Sequence, residues 1–215
     1  MDKAMKWLAI VAVAGAVSAC ATSGGERSGF LGDYSRLTSQ KDAMGEPVSR
    51  YVSPKLTPGT YKKVLIDPVQ FYPALQPSGS VDASTLTAIR NYVDKGLRER
   101  MGAKVPLASG PGPGVVRFRP AITAVAIETT DLKPYQYIPV AFVVATAMGR
   151  SKQAVIQMEM EAADSVTSER LGAAVRRGAG AKLEGKEQKL TLEQVRPLLD
   201  RWIETGSSFA AEQLK

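Results

Sequence analysis

Between Ala154 and Val175 the sequence alternates with a period of two, and no other pattern restricts the fold as much. Ala154, Ile156, Met158, Met160 and Ala162 fall on one side of an extended chain, and Gln157, Glu159 and Glu161 on the other. A turn centred on Val166 to Glu169 follows, after which Leu171, Ala173 and Val175 resume the alternation. Two alternating runs joined by so short a connection predict an antiparallel hairpin. The spacing sets Glu159 opposite Arg176 and Met160 opposite Val175, with Glu159 and Glu161 on a solvated sheet face. Asp164 breaks the alternation beside the turn, where its carboxylate can cap backbone N–H groups.

The flanking segments supply the rest of a sandwich. Tyr61 to Phe71 reads as a strand, with Pro68 implying an edge position or a bulge. A helix runs from Asp82 or Ser84 to Met101, because Leu86, Ile89, Val93 and Leu97 share one face; Gly102 is placed to cap it. The Gly110-Pro-Gly-Pro-Gly114 punctuation then breaks the chain, and Val115 to Thr129 reads as a long strand with a bend at Pro120. Gly178 to Gln188 reads as a glycine-rich charged loop. A last helix starts at the capping box Thr191-Leu-Glu-Gln194, or at Pro197, and buries Val195, Leu199, Trp202 and Phe209. The order predicts an α/β (α+β) fold: a single sandwich of one mixed or antiparallel sheet with helices packed on one face.

The N-terminus addresses the chain rather than folding it. Lys3 and Lys6 precede an apolar run from Trp7 to Val17, about a dozen residues against the roughly 20 a spanning helix needs. Val17-Ser18-Ala19-Cys20 resembles the bacterial lipobox, which implies a signal peptide over residues 1–19, cleavage between Ala19 and Cys20, and acylation of Cys20. Cys20 is the one cysteine in 215 residues, so an oxidising compartment offers it no disulfide partner. Residues 20–30 form the lipidated tether. Its polar part, Ala21 to Ser28, spans typically about 15–17 Å as a flexible coil. Residues 31–215 then make a single periplasmic α/β domain, with 31–60 an irregular arm across it.

Composition excludes several chemistries. There is no histidine, so imidazole catalysis and the usual zinc ligands are missing; no metal, cofactor or nucleic acid is expected. Gly180-Ala-Lys-Leu-Glu-Gly185-Lys186 imitates a phosphate-binding loop, but Glu187 stands where Ser or Thr should hold magnesium. No serine lies in a nucleophile elbow or is followed by Lys at the third position. The net charge of +7 is spread without a run of five like charges and reads as a mixed solvated surface. Catalysis, were there any, would fall to carboxylates such as Glu159 or Glu161. The apolar run Tyr137 to Met148 reads as a buried helix or strand, or as an exposed segment contacting a partner or lipid through Ile138, Phe142, Val143 and Val144.

The lipobox, GFLGDYSRL (Gly29 to Leu37), VLIDPVQF, YIPVAFVVATAMG, the hairpin around Asp164-Ser-Val-Thr and LLDRWIETGSSFAAEQL together resemble the domain-of-unknown-function 3313 lipoproteins of Gram-negative bacteria. That resemblance covers most of the chain and implies no activity and no site residues. Ala21, in place of the aspartate that favours inner-membrane retention in such lipoproteins, implies the periplasmic face of the outer membrane. The expectation is a lipid-anchored envelope protein, not an enzyme, held in the membrane by acyl chains on Cys20 and binding another envelope component, with its oligomeric state left open. The alternatives are a carboxylate-based cell-wall enzyme and a lipid or lipopolysaccharide carrier. A desolvated carboxylate in a concave pocket favours the enzyme. An apolar cavity between sheet and helices favours the carrier, and a flat apolar patch favours a protein partner.

Overall fold

A computed structural model describes residues 27–129, 152–183 and 189–215. The predicted hairpin is β6 (Lys152–Asp164) and β7 (Arg170–Leu183), two long antiparallel strands at the centre of the sheet. Asp164 closes it as expected: its Oδ1 accepts the N–H groups of Val166 at 2.9 Å and Thr167 at 2.7 Å. The Tyr61 hydroxyl donates to the other carboxylate oxygen at 3.0 Å. The register differs by one from the expected one. Glu159 faces Val175 and Met158 faces Arg176, because an irregularity between Ala162 and Ala163 shifts the pairing beside the turn.

β5 (Val115–Thr129) runs antiparallel to β6. Its other side carries two short parallel strands, β3 (Lys63–Ile66) and β4 (Gln70–Phe71), where the sequence predicts one continuous strand. The split has a cause in two prolines. β3 pairing ends at Phe118 and β4 pairing begins at Ala121, so Pro120, which has no N–H to donate, falls in the gap, and Pro68 lies between the two short strands.

Residues 31–60, expected to be irregular, contain β1 (Thr38–Lys41) and β2 (Pro47–Val52). These extend the sheet to the order β1-β2-β7-β6-β5-β3. β1 is exposed at every position, so it carries no apolar alternation to betray it.

Both helices cover one face. α1 (Ala83–Gly102) buries Leu86, Ile89, Val93, Leu97 and Met101, with Asp82 as its N-cap residue; Gly102 is its last residue and Ala103 takes the cap. Each such aliphatic side chain contributes at most about 1.5–3 kcal/mol. α2 (Leu192–Leu214) starts at the capping box, where the Thr191 N–H donates to Gln194 Oε1 at 2.6 Å, and Pro197 is inside it. The predicted glycine loop continues β7 as far as Leu183 instead. Its glycines are spaces for α2: a Cβ on Gly178 would lie 2.7 Å from the Trp202 ring, and one on Gly180 only 2.2 Å from the Gln194 carbonyl oxygen.

The opposite face has its own cover. Leu31 and Tyr34 pack on Ala173 and Val175, with Phe30 and Leu37 beside them. The segment from Ser28 to Leu37 is therefore an arm laid across the back of β6 and β7.

Candidate functional site

The lipidation and cleavage residues Cys20 and Ala19 lie outside the described residues, as do the contact candidates Ile138, Phe142, Val143 and Val144. The carboxylates Glu159 and Glu161 are described, and neither meets water as the alternation implied. Glu159 is 1% exposed and Glu161 is 9% exposed. The reason is the arm, which period-two reasoning could not see. Tyr34 Oη donates to Glu159 Oε2 at 2.6 Å. The Gln157 side-chain amide and the Ser28 N–H donate to Oε1 at 3.2 and 3.3 Å. Burial, with Glu159 beside it, holds the Tyr34 hydroxyl above its ordinary pKa.

Glu161 sits between Arg119, at 2.6 Å, and Arg170, at 2.7 Å. The Arg170 guanidinium continues into the arm, donating to the carbonyl oxygens of Asp33, at 2.9 Å, and Leu31. Both carboxylates are thus engaged in fastening the arm. A general acid needs an approach for the bond it protonates, and the arm occupies that approach at Glu159.

A different site lies on the helix side. Leu97, Met101, Phe118, Met160, Trp202 and Phe209 help line a cavity between the sheet and the helices. It offers about 130 Å³ to the centre of a water-sized sphere, roughly ten times what a single buried water requires. Arg50, on β2, and Arg176, on β7, contribute to the same wall. Each is 7% exposed.

The two guanidiniums are unequally served. Arg176 Nη1 donates to Asp42 Oδ2 at 2.7 Å and to Thr205 Oγ1 at 3.0 Å, while its Nη2 is buried with no hydrogen-bond partner. The Arg50 guanidinium stacks 3.5 Å from the Phe209 ring centroid. Among the described residues no carboxylate forms an ion pair with it. Burial, then the charge of Arg176, holds Arg50 below its ordinary pKa, with Asp42 opposing. Burial would raise Asp42, but the N–H groups of Glu46 and Met44 and the Arg176 guanidinium outweigh it and hold the carboxyl low. Two buried cations therefore share one carboxylate beside an apolar space, an arrangement that natural interiors avoid unless something completes it.

Sequence reasoning set Arg176 opposite Glu159 on the solvated face and did not single out Arg50, though a signal for the wall was there. Val48, Arg50 and Val52 share one side of a strand, and so do Ala174 and Arg176. An arginine set among core-facing positions is the mark of a polar group built into an apolar layer.

Fold and site define a small α+β domain with an arginine-walled apolar cavity, and among the described residues no helix is long and apolar enough to cross a membrane. The chain belongs to the family described as Protein of unknown function (DUF3313), whose model matches residues 26–205. It is 32% identical over 201 residues to the uncharacterized lipoprotein YdcL of Escherichia coli K12, covering 90% of each chain, and the O157:H7 protein matches equally. This relationship makes the chain a lipid-anchored protein of the cell envelope. Among solved structures, the PelC dodecamer from Paraburkholderia phytofirmans is 11% identical at a TM-score of 0.37, over 74% of this chain and 96% of that one. A minor lipoprotein from Acinetobacter baumannii is 12% identical at 0.33, over 71% and 91%. Likeness at that level is too slight to assign anything.

Proposed function

We propose that this protein is held at the periplasmic face of the outer membrane by acyl chains on Cys20, and that its domain is a non-catalytic binder of an envelope lipid. The observation that carries this reading is the apolar cavity between the sheet and the helices, the feature that distinguishes a carrier from an enzyme or a flat docking surface. The fastening of Glu159 and Glu161 beneath the arm argues against the carboxylate enzyme. A cavity of this kind suits one extended hydrocarbon chain, whose burial is worth about 0.8 kcal/mol per CH₂.

The test is recovery of the ligand. The full chain is purified through its native anchor, and native mass spectrometry separates the covalently acylated protein from any further bound mass. The expected result is a lipid near one per chain that leaves on collisional activation. Full occupancy by covalent acyl chains alone, with a repeatable protein neighbour captured by crosslinking in intact cells, would overturn the lipid reading in favour of a protein partner.

A further inference from the structure

We propose that the cavity takes an acyl chain ending in a carboxylate, and that Arg50 and Arg176 hold the head group. The inference rests on the reading of the cavity as a lipid site and adds the chemistry of the ligand's polar end. Three observations converge on it. The lining supplied by Leu97, Met101, Met160 and Trp202 suits a hydrocarbon chain and offers it no hydrogen bonds. Arg176 Nη2 is an orphaned donor on a side chain more than nine-tenths buried. Arg50 is equally buried, its guanidinium lies against the Phe209 ring, and among the described residues no carboxylate forms an ion pair with it.

A ligand with a neutral head fills the apolar space, and its oxygen can accept the orphaned N–H, but it leaves the surplus positive charge unbalanced. A carboxylate supplies the missing charge and accepts the orphaned N–H, and guanidinium groups bind carboxylates through paired, charge-assisted hydrogen bonds. Asp42 already satisfies one edge of Arg176. Two guanidiniums on one wall with a single carboxylate between them leave one positive charge unbalanced, which selects a head group of single charge over a bulky polyanion.

Trp202 reports on the site directly. It lines the cavity, and Trp7 is the only other tryptophan in the sequence. Trp7 lies in the segment read as the cleaved signal peptide, so the mature acylated protein carries Trp202 as its one tryptophan, and it is placed in nanodiscs of a zwitterionic phospholipid. It is titrated with a medium-chain fatty acid brominated at its methyl end, then with the brominated alcohol of equal length. Bromine quenches tryptophan at contact.

The carboxylate is expected to quench saturably and bind about tenfold more tightly than the alcohol, the range of a buried charge-assisted pair. Arg50→Gln, which strands no carboxylate, is expected to remove most of that preference, and Arg176→Lys to retain part of it. Equal binding of acid and alcohol would overturn the head-group assignment while leaving the lipid cavity intact. Failure of both probes to quench saturably in the unmutated chain would remove the cavity reading and the inference with it.

Discussion

Replacing Tyr34 by phenylalanine tests whether the arm is a structural fastening. The ring stays, so the packing on Ala173 and Val175 is conserved. The hydroxyl alone is lost, and with it a 2.6 Å donation to a carboxylate that is 1% exposed. A hydrogen bond to a charged group is worth about 1.5–3 kcal/mol. The same oxygen accepts the N–H of Gly29 at 2.9 Å, so roughly 1 kcal/mol more is at stake. A loss of about 3 kcal/mol follows, and at roughly 2–4 °C per kcal/mol for a chain of this size the melting midpoint should drop by about 6–12 °C. Calorimetry on Tyr34→Phe, Glu159→Gln and the double variant gives the coupling directly, expected to exceed about 1 kcal/mol. Trypsin should also cut faster after the exposed Arg36 in Tyr34→Phe. A variant that melts within about 1 °C of the parent, with unchanged cleavage at Arg36, would refute the fastening.

Glycine spacing predicts a graded result along the sheet–helix and helix–helix contacts. Gly180→Ala drives a Cβ into a backbone carbonyl and should cost at least about 2 kcal/mol in urea unfolding. Gly96→Ala meets only the Ile203 side chain, nearest at Cδ1 2.8 Å away, whose end can turn aside about its side-chain torsion, so its cost should stay below about 1 kcal/mol. Acid should weaken the fold. Asp164 is held low by the Thr167 N–H and then the Val166 N–H, and Glu204 by Lys104 and then Arg100, as Asp42 is by its turn and Arg176. A carboxyl depressed in the folded state stabilises above its ordinary pKa and loses that contribution as pH falls through the folded value. The midpoint should therefore be flat near neutrality and fall below about pH 4, and Asp164→Asn should shallow that fall. Cys20→Ser should accumulate an uncleaved precursor without acyl mass, read by intact-protein mass spectrometry; normal processing would sink the lipobox reading.

The sequence was most legible where one periodicity ruled. The α1 face, the hairpin and the Asp164 turn are local patterns, and each formed where its spacing predicts, the hairpin with its register one residue off. Legibility failed where a strand is buried on both faces. Glu159 looked solvated because Ile156 and Met158 already mark the apolar side, and nothing within β6 reveals that Tyr34, 125 residues earlier, closes the other. β2 was hidden for the converse reason: Arg50 and Ser49 are buried polar residues in a segment whose neighbours are Pro, Ser and Gly. The cavity was unreadable because it exists only where β2, β5, β6, β7 and both helices converge.

The arm has a mechanical consequence. It is the first described segment after the proposed anchor at Cys20, and it is bolted by Glu159 and Arg170 to β6 and β7, the two central strands of the sheet order. A pull from the membrane therefore enters the middle of the sheet instead of an edge strand, which could be unzipped one hydrogen bond at a time. Tyr34, Ser28 and the Arg170 contacts must yield nearly together, a shear geometry. The domain can be tugged by its own anchor, as a bilayer bends or a neighbour binds, while the helix side that holds the cavity carries little of the load.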